Sequence, residues 1–120
     1  RIYRIRKTFI RKLTTDHSYV QKLVKDGTIT KEEAEVHPKK NMLLKALGCN
    51  AFVEPDVAVK GFLKEDILLI SSDGLTNMVK QDDIFQLATG NIEKAPQRLV
   101  DLANENGGMD NITVVIIKNI

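Results

Sequence analysis

Two short acidic motifs contain the residues best suited to chemistry in this sequence. Asp73 follows the apolar run Ile67–Ile70, and Asp110 precedes the β-branched run Ile112–Ile117. If both runs are strands that pair antiparallel, the end of the first lies beside the start of the second, and both carboxylates reach one edge of the sheet. Two converging carboxylates suit Mg²⁺ or Mn²⁺, hard cations that prefer oxygen ligands and retain several waters.

The residues around these motifs leave a structural alternative open. Gly74 follows the first Asp, and Gly107-Gly108 precede the second, so both backbones can approach a neighbour closely. Asp-Gly and Asp-Asn are also ordinary turn dipeptides, in which the Asp side chain bonds only its local backbone. The spacing alone therefore permits a shared metal site without requiring one.

The histidines and the cysteine are weaker candidates. His17 and His37 are the two histidines of the chain, and we expect structural or solvated roles for both. Cys49 is the single cysteine, so it cannot form an internal disulfide, and no base accompanies it in the sequence. A zinc site built from these residues is nearly excluded.

The charge is distributed unevenly along the chain. The first 14 residues carry six basic side chains and no acid, whereas the remainder carries 12 basic and 16 acidic ones. A basic arm can bind nucleic acid. We favour the alternative that it is a cationic edge strand with its hairpin partner, because charge on an edge strand blocks aggregation.

Alternating and helical patterns divide the first half of the chain. Residues 2–6 and 9–13 alternate like the strands of a β-hairpin. Residues 15–48 then contain three helical patterns: one that ends at Gly27, one that begins with a capping box at Thr30 and ends at His37-Pro38, and one over 41–47. We expect this insertion to be poor in core residues.

The second half predicts the elements that must position the two Asp residues. Residues 56–62 alternate as a strand, and the run at 67–70 is typical of a central strand buried on both faces. Helices follow around Ile84–Ala88 and over about 93–106, before the last strand at 112–117. This order predicts an α+β fold with antiparallel pairing.

Length and composition fit one globular domain. The chain has 120 residues, of which 42% are apolar and 28% charged. That balance argues against disorder, and no stretch approaches the roughly 20 apolar residues of a membrane span. We expect a soluble cytoplasmic protein.

The motifs taken in order are similar to those of a known family, the bacterial metal-dependent protein phosphatases of type 2C. The segments that carry the resemblance are Leu13-Thr14-Thr15-Asp16-His17-Ser18, Gly27-Thr28-Ile29-Thr30 with Glu33-Ala34, His37-Pro38 with Asn41, Ala46-Leu47-Gly48, Ser72-Asp73-Gly74-Leu75 with Val79, and Gly107-Gly108-Met109-Asp110-Asn111-Ile112-Thr113. They extend over essentially the whole chain.

The resemblance implies a fold, an activity and a site. The fold is a four-layer α-β-β-α sandwich with two antiparallel sheets, and the activity is hydrolysis of phosphoserine and phosphothreonine in proteins. A two-metal Mn²⁺ or Mg²⁺ site activates a water for attack on phosphorus. Asp73 and Asp110 correspond to metal ligands, and Gly74 and Asn111 to residues that support them.

The resemblance also assigns surroundings to that site. Residues 15–48 correspond to the family's flap, in which His37 and Asn41 are candidate flap residues. It implies phosphorylated protein substrates and a partner Ser/Thr kinase system, with no nucleic acid and no membrane segment in this chain.

The sequence departs from the family pattern at its front. An acidic metal motif and an Asp-Gly-His-Gly-Gly segment, which supplies a bridging Asp and the general acid His, are not in these 120 residues. Asn77 stands where relatives often carry Asp. We therefore expect the C-terminal part of a single phosphatase domain, nearly inactive by itself. The alternative is a non-catalytic, phosphatase-like binding or regulatory module.

Overall fold

A four-stranded antiparallel sheet forms the frame of the computed structural model, which describes Arg1 to Ile120. The strands are β1 (Ile2–Arg6), β2 (Phe9–Lys12), β3 (Ile67–Ser71) and β4 (Val114–Lys118), in the order β2-β1-β3-β4. The predicted hairpin is confirmed, with Lys7 in the left-handed region at φ 53°. β2 is an edge strand, as expected for the basic arm.

Five helices complete the regular structure: α1 (Tyr19–Lys25), α2 (Lys31–Glu35), α3 (Asp73–Thr76), α4 (Gln81–Thr89) and α5 (Ala95–Glu105). The capping box at α2 is confirmed, because the Thr30 hydroxyl accepts from Glu33 N while Glu33 Oε2 accepts from Thr30 N. Pro96 occupies the first turn of α5, where its missing N–H costs no hydrogen bond. The α+β fold class is confirmed. The sequence did not predict α3, a helix of only four residues.

One face of the sheet packs against helices to form the core. Tyr3, Ile5, Ile67 and Leu69 alternate onto this face and are buried. The helices contribute residues from their apolar stripes, and the fully buried ones are Leu75, Ile84, Ala88, Ala95, Leu99 and Ala103. The core therefore anchors β3, whose end carries the acidic motif.

The opposite face of the sheet corrects one prediction. β3 is central, but it is not buried on both faces: Ile70 is 37% exposed, beside Val115 at 47% and Ile117 at 44% on β4. A continuous apolar run predicts contacts on both faces. In these 120 residues only one face has helices packed against it, so the second sheet of the sandwich stays a prediction.

An ion pair fastens β1 to the turn before β3. Asp66 is buried, and its carboxylate accepts from Arg6 Nε at 2.8 Å, from Arg6 Nη2 at 2.6 Å and from Leu63 N at 2.7 Å. The Arg6 hydrogen bonds, helped by the Leu63 backbone N–H, lower the pKa of Asp66 from 3.8 to about 2. Because the guanidinium engages both carboxylate oxygens, the pair fixes orientation as well as charge.

The chain divides into two compact units, one of 1–14 with 61–120 and the other of 15–60. The second unit holds α1 and α2, and few of its apolar side chains are buried, as expected. His17 Nε2 lies 2.7 Å from Asp56 Oδ2, and Lys45 Nζ lies 3.4 Å from Asp56 Oδ1. These two contacts lower the pKa of Asp56, and the hydrogen bond with His17 has the larger effect.

The predicted helix over Asn41–Leu47 is wrong. The segment forms turns and an isolated antiparallel bridge between Ser18 and Leu43. Its backbone forms hydrogen bonds with residues 17 and 19 and not within a helix: Met42 O accepts from Tyr19 N, and Leu44 N donates to His17 O. A helix of seven residues is only marginally stable by itself, so the segment instead forms hydrogen bonds with residues 17–19.

The predicted strand over 56–62 is also wrong. Val57 and Val59 are 87% and 96% exposed, so the alternation buries nothing in this chain. Two backbone carbonyls at the end of this segment accept hydrogen bonds from side chains and not from a neighbouring strand. Gly61 O accepts from Arg4 Nη1, and Phe62 O accepts from Asn119 Nδ2. A period of two predicts a strand only where a partner strand is available.

Candidate metal-binding edge of the sheet

The two acidic motifs lie next to the ends of neighbouring strands, as the antiparallel hypothesis requires. β3 and β4 pair in the register Ser71 with Val114. The pairing continues one residue further, since Ser72 N donates to Thr113 O at 3.1 Å. Asp73 therefore leaves the sheet at the edge where the segment after Asp110 enters it.

Gly74 permits an unusually close approach of the two segments. A Cβ built on Gly74 would lie 2.1 Å from the Asn111 carbonyl oxygen and 2.9 Å from its carbon. No other residue fits here without displacing backbone. The expectation that Gly74 serves close approach is therefore confirmed, although its role toward a metal stays a prediction.

The side chain of Ser72 joins the same two segments. Its Oγ accepts from Thr113 N at 3.0 Å and donates to Asn111 O at 3.3 Å. One hydroxyl can do both, because it carries one donor and two acceptor positions. From the sequence, Ser72 was named only as part of the motif Ser72-Asp73-Gly74-Leu75, without a role; a hydroxyl directly before the acid at a strand end was the available signal.

The two carboxylates are presented differently. Asp73 is the first residue of α3, where it is exposed. Asp110 is exposed too, and its Oδ1 accepts from Asn111 N at 2.7 Å, the local bond that the turn alternative predicted. Its second oxygen has no such backbone bond and can serve as a ligand.

The loop before Asp110 depends on glycine. Gly107 and Gly108 have φ of 134° and 52°, in the range that side chains rarely adopt. The loop is tied to the rest of the unit where Asn106 Nδ2 donates to Met78 O at 2.8 Å. This reversal carries the chain from the end of α5 to the edge of the sheet.

The donor chemistry at this edge fits a hard divalent cation in part. Asp73 and Asp110 offer oxygen ligands, which Mg²⁺ and Mn²⁺ prefer, and neither residue is buried away from water. The chain contains no cluster of three or more His, Cys, Asp or Glu side chains that could hold a metal. Other ligands would have to come from water or from outside these 120 residues.

The remaining candidate residues lie elsewhere in the chain. His37 and Asn41 belong to the second unit, where His37 Nδ1 accepts from Lys39 N and its ring meets Tyr19 edge-on. His17 is engaged by Asp56, in line with a structural role. Cys49 is an exposed free thiol.

The chain is similar in sequence and in fold to several known proteins. The chain is 45% identical over 119 residues to the serine/threonine phosphatase stp of Listeria welshimeri, covering 97% of the chain and 47% of the relative. It is 42% identical to the protein phosphatase PhpP of Streptococcus pneumoniae, covering 98% and 48%. The Streptococcus agalactiae serine/threonine phosphatase superposes with a TM-score of 0.95 at 42% identity, covering 100% of this chain and 50% of that one. In sequence and in fold, the chain is therefore similar to about half of each of these bacterial serine/threonine protein phosphatases.

A second solved structure bears on the metal. The catalytic domain of the serine/threonine phosphatase PstP, in complex with two manganese ions, matches with a TM-score of 0.83 at 33% identity, over 96% of this chain and 47% of that domain. No protein-family model matches the chain.

The chain spans about half the length of the curated relatives it matches.

None of its helices combines the length and the apolar character needed to cross a bilayer.

Proposed function

We propose that this chain forms one half of the catalytic centre of a metal-dependent protein phosphatase that hydrolyses phosphoserine and phosphothreonine. The observation that carries the proposal is the junction of β3 and β4. It brings the Asp73 and Asp110 motifs to one edge of a sheet whose fold matches bacterial Ser/Thr phosphatases. The exposed apolar face of the same sheet supports it, since a second sheet would cover such a surface in a sandwich.

The proposed cofactor is Mn²⁺ or Mg²⁺, with Asp73 and the free oxygen of Asp110 as ligands from this chain. Such ions, when bound, lower the pKa of a coordinated water and neutralise phosphoryl oxygens. The chain's own part is to fix the separation of the two carboxylates. Gly74 and Asn111 do this through the close contact of their backbones.

The proposed enzyme needs groups that these residues do not provide. Two carboxylates are few for a two-metal site, and the family's Asp-Gly-His-Gly-Gly segment is not in this sequence. We therefore propose that the 120 residues alone are nearly inactive. Residues 15–48 are proposed as the flap, and His37 and Asn41 are proposed as residues of that flap.

The biological setting follows from the proposed chemistry. The substrates are phosphorylated proteins, so the enzyme opposes a Ser/Thr kinase. We propose a cytoplasmic location for the enzyme, where such kinases act on their targets.

A chimaera tests the proposal. The N-terminal half of the Streptococcus agalactiae phosphatase is joined to this chain in place of its own C-terminal half, guided by the structural match. We expect Mn²⁺-dependent hydrolysis of a phosphothreonine peptide by the chimaera and almost none by the 120-residue chain. Asp73→Asn and Asp110→Asn should each lower the rate by at least about 100-fold, because removal of one stabilising group at an active site has effects of that order.

The matched control is Asp82→Asn, which removes an exposed carboxylate from the first turn of α4. It should leave the rate nearly unchanged. A chimaera that melts cooperatively but is inactive, or whose Asp73→Asn variant keeps full activity, would contradict the proposed site. Rapid turnover by the 120-residue chain alone would contradict the need for the other half.

A further inference from the structure

Ser72 lies between the end of β3 and the first proposed ligand, Asp73. The segment 111–113 follows Asp110, and the Ser72 hydroxyl forms a hydrogen bond at each of its ends, with Asn111 O and with Thr113 N. We infer that Ser72 is a positioning residue that sets the separation of the Asp73 and Asp110 carboxylates and thereby the affinity of the metal site. This inference rests on the proposed function.

The backbone ladder alone does not hold this segment. The regular register of β3 and β4 ends at Ser71 and Val114, and one further bond follows, from Ser72 N to Thr113 O. The reciprocal donor, Thr113 N, bonds the Ser72 hydroxyl instead of a backbone carbonyl. In this pair, the Ser72 hydroxyl thus takes the place of the Ser72 carbonyl as the acceptor.

The hydroxyl and Gly74 both meet the same atom, the Asn111 carbonyl oxygen. Ser72 Oγ donates to Asn111 O, and Gly74 leaves the space that this carbonyl occupies. Asp73 lies between these two residues in sequence, and Asp110 directly precedes Asn111. A shift of the Asn111 carbonyl therefore moves one proposed ligand relative to the other.

Loss of the hydroxyl should affect the metal more than the fold. Asn111 and Thr113 are exposed, so water can replace the lost hydrogen bonds at small cost. A metal site is more sensitive, because groups that orient ligands typically change metal affinity by about 10–100-fold when removed. A purely structural Ser72 would change stability without changing metal affinity.

The test is Mn²⁺ binding, followed by the electron paramagnetic resonance signal of the free ion during titration. It uses the 120-residue chain and, as a second measurement, the chimaera described above. We expect Ser72→Ala to raise the Mn²⁺ dissociation constant at least about 10-fold. Ser72→Thr, which keeps the hydroxyl, should stay within about twofold of the unsubstituted protein.

Thr89→Val is the matched control. It removes a hydroxyl that bonds Phe85 O at 2.7 Å on α4, away from the β3–β4 edge. It should lower stability without changing the Mn²⁺ dissociation constant. An unchanged Mn²⁺ dissociation constant in Ser72→Ala, or an equal increase in Ser72→Thr, would overturn the inference about Ser72. Neither result would contradict the proposal that Asp73 and Asp110 bind the metal. If Asp73→Asn also binds Mn²⁺ as the unsubstituted protein does, in both the chain and the chimaera, the proposed function itself fails.

Discussion

The close contact at Gly74 makes a prediction in which two effects have opposite signs. Gly74 lies within α3, where replacement by Ala would ordinarily stabilise a helix by up to about 1 kcal/mol. In this structure the new Cβ would lie 2.1 Å from Asn111 O, more than 1 Å inside the ordinary contact range that begins at 3.4 Å. The neighbouring atom is a backbone carbonyl, which cannot rotate away as a flexible side chain can.

The clash should exceed the helix propensity. Forcing extra methyl groups into closely packed sites typically costs about 1–3 kcal/mol, and more where the backbone itself must move. We expect a net loss of about 2 kcal/mol in the free energy of unfolding for Gly74→Ala. For a chain of this size that corresponds to a decrease of roughly 6–12 °C in Tm.

Thermal and urea unfolding, followed by circular dichroism, measure this loss. Gly61→Ala is the matched control, because a Cβ there meets nothing within 4 Å and its φ is not in the left-handed region. It should be neutral or stabilising by up to about 1 kcal/mol, through the unfolded chain. A Gly74→Ala protein as stable as Gly61→Ala would refute the argument that the Asn111 carbonyl fills this space.

Two further predictions concern the core and the buried ion pair. Leu99→Ala in α5 should cost about 2–5 kcal/mol in urea unfolding, because Leu99 is fully buried, whereas Leu47→Ala, at a 91% exposed position, should change stability by less than about 0.5 kcal/mol. Equal effects would contradict the assigned core. The pKa of Asp66 is lowered to about 2, so its pair with Arg6 contributes stability that is fully present above about pH 4 and lost as pH falls toward 2. The stability difference between the unsubstituted chain and Asp66→Asn, measured by urea unfolding from pH 6 to 2, should shrink over that window; a constant difference would show that the charge of Asp66 is not what stabilises the turn.

Elements with strong local signals could be predicted from the sequence. The hairpin follows from alternation, and α2 follows from the capping box of Thr30 and Glu33, whose two hydrogen bonds join residues three apart. The same is true of α5, which begins near Pro96 and is followed by Gly107. Such signals involve neighbours in the sequence, so no knowledge of the fold is needed to recognise them.

The failed predictions depended on partners far along the chain. The segment over 41–47 has apolar residues at helical spacing, yet its backbone bonds residues 17–19. The segment over 56–62 alternates, yet no strand lies beside it. Local preferences are worth only fractions of a kcal/mol per residue, so tertiary pairing overrides them.

The candidate site divides in the same way. The sequence alone determined that Asp73 and Asp110 follow and precede apolar strands, and that their neighbours are glycine and asparagine. The tertiary structure decided that these strands are adjacent, that Gly74 meets the Asn111 carbonyl, and that the Ser72 hydroxyl links the two segments. The physical reason is that residue type and spacing act through near neighbours. The distance between groups 37 positions apart, in contrast, is set by the pairing register of β3 and β4, which the hydrogen bonds of the whole sheet determine together.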